Sequence, residues 1–178
     1  MQLDTPRLIL RPWEQSDAEA LYELASDPVI GGMAGWKPHE SVEESLGIIG
    51  TVFSKPAVFA VVLRASNRPI GCAGLDREPQ ILRKGPRDAE LGYWIGQRYW
   101  NQGYATEAVE ELIRYGFEEE GISRIWCQSM DGNAQSARVQ EKCGFVFDHR
   151  GVFRNPYLGE VVTSVSSLTR KQWSKSRR

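Results

Sequence analysis

The chain has 178 residues, a formal net charge of −1, and 41% hydrophobic against 25% charged residues. That length suits one domain with a substantial core. The near balance of charge argues against DNA or an anionic membrane as partners.

Taken in order, 8–10 is a short apolar run ended by Arg11-Pro12 and reads as a first strand. Ser16 with Glu19 has the spacing of a capping box, and Ala18, Leu21, Tyr22 and Ala25 then share one helical face. Asp27-Pro28 stops that helix. Three glycines and a proline make 31–38 a mobile loop. Ser41 with Glu44 starts a second helix, whose apolar face is Val42, Leu46, Ile49 and Phe53. The runs 57–63 and 69–75 are β-branched and form a hairpin. The stretch 78–88, rich in Pro, Gly and Arg, is a loop, and 89–95 returns to strand.

The strongest helix follows, with Ala105, Ala108, Val109, Leu112, Ile113, Gly116 and Phe117 on one stripe and Gly121 at its end. Then come a strand at 124–130, a short helix capped by Asn133 and running to Lys142, and strands at 144–147 and 161–168. This makes a single α/β (α+β) domain over 1–169 with about seven strands and about four helices. The remainder, 170–178, carries five cations in nine residues and reads as a solvated, frayed basic tail.

Three cysteines, Cys72, Cys127 and Cys143, form neither a CxxC nor an even set, so no disulfide framework or zinc site is expected. They favour a reducing, cytoplasmic setting. His39 and His149 are isolated, and no metal site is expected. No apolar leader opens the chain and no run approaches the ~18 residues of a membrane span.

The chemistry concentrates at 93–108, where a strand runs into a turn containing Gly103 and directly into the long helix. The first N–H groups of a helix lack backbone partners and lie at its positive end, so they bind phosphate with few cationic side chains. The turn is neither a Walker A loop nor G-x-G-x-x-G.

The segment Gln102-Gly103-Tyr104-Ala105-Thr106-Glu107-Ala108 resembles motif A of the GNAT superfamily, and in particular its RimJ/RimL-type N-acetyltransferases. Two further blocks share the likeness. One is Asn133 through Phe145, which resembles motif B with Asn133, Ser136, Glu141, Lys142, Gly144 and Phe145 in place. The other is Thr5-Pro6-Arg7-Leu8-Ile9-Leu10-Arg11. The resemblance implies the GNAT fold, a mixed and mostly antiparallel sheet, with acetyl-CoA as cofactor and an amine as acceptor. It implies that the backbone of Asn101, Gln102, Gly103, Tyr104, Ala105 and Thr106 holds the CoA pyrophosphate. Tyr93, Trp94 and Ile95 would then pair with the pantetheine amides, one N–H near Ile95 would hold the thioester carbonyl, and Asn133 would contact the pantetheine arm.

Direct transfer needs a neutral amine, so a base must remove a proton and the thiolate must be stabilised. Glu90, on one strand face with Gly92 and Trp94, is the candidate base; pairing with a cation such as Arg87 is its plain structural alternative. Ser136 is the candidate partner of the CoA sulfur. Gln128 and Gln140 stand where other branches of the superfamily carry a titrating glutamate and tyrosine, so neither can do that work here. Trp13 and Trp36 are expected as aromatic walls of the acceptor site, with Trp36 moving as a lid. The resemblance favours a peptide N-terminus as acceptor and leaves small-molecule amines open; homodimers are frequent in the family. The alternatives are an acyl-CoA-binding module without turnover and an unrelated nucleotide-binding domain.

Overall fold

The computed structural model describes residues 1–77 and 85–176. Eight strands form one sheet: β1 Leu3–Asp4, β2 Leu8–Arg11, β3 Val58–Leu63, β4 Arg68–Asp76, β5 Asp88–Ile95, β6 Arg124–Met130, β7 Val146–Asn155 and β8 Gly159–Thr169. Their order is β1-β2-β3-β4-β5-β6-β8-β7. Every pairing is antiparallel except β5 with β6. Among the described residues six α-helices accompany them: α1 Ala18–Ala25, α2 Pro28–Ala34, α3 Val42–Thr51, α4 Tyr104–Glu118, α5 Ala134–Lys142 and α6 Arg170–Ser176.

The helices cover both faces of the sheet. On one, α4 buries Val109, Leu112, Ile113 and Phe117 against Leu75, Leu91 and Ile125. Each of these side chains contributes about 2 kcal/mol by leaving water, far more than helix propensity supplies. Gly121 takes φ +65° and Ile122 N–H returns to the Gly116 carbonyl at 2.9 Å, closing the helix. On the opposite face, Leu21 and Ala25 of α1 and Ile49 of α3 pack on Ala60, Val62 and Cys72.

Five local expectations are corrected. The first box is closed by Glu14 and Asp17, not by Ser16 and Glu19, because Asp17 is drawn inward to Arg11 at 2.7 Å. In α3, Ser45 is buried while Leu46 is exposed, since Ser45 hydrogen-bonds His39 Nδ1 at 2.8 Å. The first half of the expected glycine-rich loop, 31–34, is helical. Asp27 caps α2 by accepting from Val29 N–H at 2.8 Å, Pro28 takes the first turn, and Gly35 ends it at φ +85°. Strand β7 runs on through the charged residues 148–150; it is an exposed edge whose backbone, paired with β8, supplies the bonds. The basic tail continues as α6, tied down by Trp173 against Phe117 at 5.4 Å. Of the expected loop at 78–88, positions 78–84 lie outside the described residues. Among the described residues, no helix is long and apolar enough to cross a membrane.

Candidate active site

Strands β5 and β6 are paired only from Asp88↔Arg124 to Leu91↔Cys127. Beyond that, β5 stays with β4 out to Ile95, while β6 stays with β8 out to Met130. At the closed end, Trp126 Nε1 donates to Asp88 at 2.9 Å inside the core. The two strands therefore diverge, and among the described residues the β6-facing edge of β5 from Gly92 to Ile95 has no strand partner. A cleft of about 810 Å³ runs through this gap. One mouth is lined by Asn101, Gly103, Tyr104, Ala105 and Thr106 at the head of α4, the other by Trp36, Phe53 and Glu90.

The first mouth is a cradle of backbone. Gly103 precedes α4 at φ +80°, a conformation that costs other residues about 1–2 kcal/mol, and no side chain caps the helix. The first N–H groups of α4 are thus left for a ligand. Arg7 braces the turn from 95 residues away, donating to the Gln102 carbonyl at 2.9 Å. It also pairs with Glu107 at 2.6 Å and lies 4.6 Å over the Tyr104 ring. Thr5 Oγ1 donates to the same Glu107 carboxylate at 2.6 Å. Burial pushes Glu107 up, yet the Thr5 and Arg7 bonds outweigh it and hold the carboxyl below its usual range. The N-terminal block, matched earlier without a role, is the brace of this turn. Gln102 itself does not line the cleft, as its side chain turns back to the Arg98 carbonyl at 3.3 Å.

Deeper in the cleft, Ser136 lies in the first turn of α5. Tyr93 Oη is 2.9 Å from Ser136 Oγ, and Gln140 Nε2 donates to that oxygen at 3.2 Å. Tyr93 Oη also donates to the Ser136 carbonyl at 3.2 Å, and either hydroxyl can be the donor in the contact between the two oxygens. Burial pushes the Tyr93 phenol well above its ordinary range, so it stays protonated. Asn133 lines the cleft but spends its side-chain oxygen capping α5, accepting from Ser136 N–H at 3.1 Å. Trp100 Nε1 donates to the Ile95 carbonyl at 2.6 Å, so that acceptor on the open edge is already engaged.

Glu90 has no cationic partner among the described residues. Gln128 Nε2 donates to its Oε1 at 3.1 Å. Burial pushes its pKa up, and nearby Asp76 adds to the rise against the Gln128 bond. The two glutamines that replace titrating groups thus orient the two candidate residues, Gln128 holding Glu90 and Gln140 holding Ser136. The first link joins two strands across 38 positions, which the sequence does not display, whereas the second is an i, i+4 contact within α5.

The aromatic wall differs from expectation. Trp13 is buried, stacked on Phe53 at 5.1 Å, and does not line the cleft; Phe53 takes that place. Trp36 does line it, meeting Trp94 edge-on at 5.4 Å. It is held rather than loose. Asn155 Nδ2 binds the preceding Gly35 carbonyl at 2.9 Å, and a Cβ at Gly35 would stand 2.5 Å from that nitrogen.

The family model for the acetyltransferase (GNAT) domain matches residues 7–146. The chain belongs to the GNAT acetyltransferase family. The uncharacterized N-acetyltransferase YoaA of Bacillus subtilis is 31% identical over 157 residues, 85% of each chain. A GNAT-family acetyltransferase structure from Bacillus anthracis superposes with a TM-score of 0.82 at 25% identity, covering 96% of this chain and 99% of that one. The spermidine N-acetyltransferase of Vibrio cholerae, solved with CoA and spermine, gives 0.77 at 21% identity over 96% and 99%, a likeness of fold.

The cofactor of this GNAT acetyltransferase is acetyl-CoA. The residues present fit it. The uncapped helix start at Gly103 suits a diphosphate, the open edge of β5 suits an amide-bearing arm, and the cleft leads from both to Glu90.

Proposed function

We propose that this protein is a RimJ/RimL-type N-acetyltransferase that moves the acetyl group directly to a primary amine, with both substrates bound at once. One observation carries the reading: a single cleft crosses the sheet, with a phosphate cradle at one mouth and a hydrogen-bonded, cation-free carboxylate at the other. Bound acetyl-CoA supplies the activated acyl group. The N–H groups at 101–106 hold the diphosphate, and the edge of Tyr93, Trp94 and Ile95 aligns the arm, with a donor near Ile95 for the thioester oxygen. Glu90 takes the amine proton, directly or through a water, and Ser136 donates a hydrogen bond to the departing sulfur. Asn133 acts from the N-cap of α5.

Direct transfer is further supported by the thiols. Burial pushes Cys72 and Cys143 up to about 12, and Cys127, which lines the cleft, well above its ordinary value, so none supplies a thiolate for a covalent acyl-enzyme. Three free, buried thiols also suit a reducing cytoplasm. The acceptor is a peptide N-terminus or a small amine; the relative that acetylates spermidine keeps the second class in view. Thiol release from acetyl-CoA across a panel of amines tests the reading. Turnover with any amine, reduced by Glu90→Gln, supports it. Binding of CoA without release for every amine refutes it in favour of a binding module.

A further inference from the structure

We infer that the acceptor is a primary amine carried on a single apolar, aromatic body, rather than a polyamine; this rests on the acetyl-transfer reading of the same cleft. Glu90, Gly92 and Trp94 alternate on one face of β5, and Gly92 is in register with Gly74 of β4. The floor between carboxylate and indole therefore carries no side chain, and nothing lies within 4 Å of where a Gly92 Cβ would stand. Four residues of strand span about 13 Å. Removing about 3 Å for a hydrogen bond and about 4 Å for ring contact leaves about 6 Å, the length of an aromatic ring on a one- or two-carbon arm.

The walls over that floor are apolar and come from separate elements: Met33, Trp36, Phe53, Met130 and Phe153, with Trp94 at the end. Among the described residues the charged lining is Asp76 and Glu90 against Lys55, Arg138 and Lys142. Among the described residues, Glu90 is the lining carboxylate without a cation, since Asp76 is 3.9 Å from Lys55. Asp76 is in register with Glu90, but Lys55 beside it also lines the cleft and opposes a second ammonium that approaches that carboxylate. One carboxylate not offset by a cation among the described residues, and an aromatic slot for the rest, define an arylalkylamine or an α-amine beside an aromatic side chain.

The test measures thiol release from acetyl-CoA with 2-phenylethylamine, ethylamine and spermidine. Burying the ring makes kcat/KM for 2-phenylethylamine about 10- to 100-fold greater than for ethylamine, and greater than for spermidine. Trp36→Ala shrinks the ratio of the two monoamines at least about 5-fold, with thermal stabilisation by CoA reporting that the variant is folded. If that variant does not fold, Trp36→Leu and the wild-type protein serve. In the CoA-bound wild type, tryptophan fluorescence saturates at lower 2-phenylethylamine than spermidine concentration. Equal or better use of spermidine overturns this inference and leaves the acetyltransferase reading intact, as does a ratio untouched at Trp36. No release with any amine overturns both.

Discussion

Glu90→Gln removes the charge of one carboxylate and keeps its shape. The Gln128 Nε2 donor 3.1 Å away still finds an oxygen, so the strand pairing and the cleft persist. What goes is the capacity to take a proton. At pH 7 an α-amine with a pKa of about 8 is roughly one-tenth neutral, and an alkylamine near 10.4 is neutral in about one molecule in 2,500. A variant that relies on the neutral fraction therefore loses about 10-fold in kcat/KM with an α-amine and about 2,500-fold with an alkylamine, the latter inside the ~10²–10⁴ typical of a general base. Its rate climbs about tenfold per pH unit toward the acceptor's own pKa, whereas the wild type levels off above the raised pKa of Glu90. Stability moves the other way. Burial raises the carboxyl above its ordinary 4.5, so its favourable contribution is complete below 4.5 and is lost as pH rises through the raised value. The variant should melt higher than the wild type at pH 8, with the difference gone at pH 4. The assay is thiol release from pH 6 to 10 with one amine of each kind, beside thermal melts. Equal losses with both amines and an unchanged pH profile refute the assignment.

Arg7→Met deletes the brace on Gln102 and Glu107 while leaving α4 in place; because Arg7 is half exposed, its bonds are discounted to about 1–2 kcal/mol in total, so KM for acetyl-CoA rises about 5- to 30-fold with kcat within twofold. Ser136→Ala lowers kcat about 10- to 100-fold at steady KM for the amine, and Tyr93→Phe, which removes only the support, costs less; steady-state kinetics orders the two. The lowered pKa of Glu107 means its contribution is present above 4.5 and is lost as pH falls through the lowered value, so the acid limb of thermal stability flattens in Glu107→Gln but is unchanged between pH 6 and 8.

The features legible in the sequence are those carried by neighbours along the chain. Strand, turn and helix around Gly103 follow from one glycine at positive φ and a 3.6-residue apolar stripe, and Asn133 as a cap follows from its place ahead of Ser136. Where local signals misled, a side-chain partner outside the element had intervened. Ser45 takes the buried position and leaves Leu46 exposed because His39, six residues back, binds it, and the segment before Trp36 is fixed because Asn155, 120 residues on, holds Gly35.

Local sequence determined the cradle, because helix starts and tight turns are closed by hydrogen bonds within a few residues. The tertiary structure alone decided what surrounds it. Gln128 meets Glu90 across 38 positions and Arg7 meets Glu107 across 100, and Phe53 rather than Trp13 faces the cleft. Such contacts depend on strand register and on which layer each helix covers, and both are set by packing the whole chain at once.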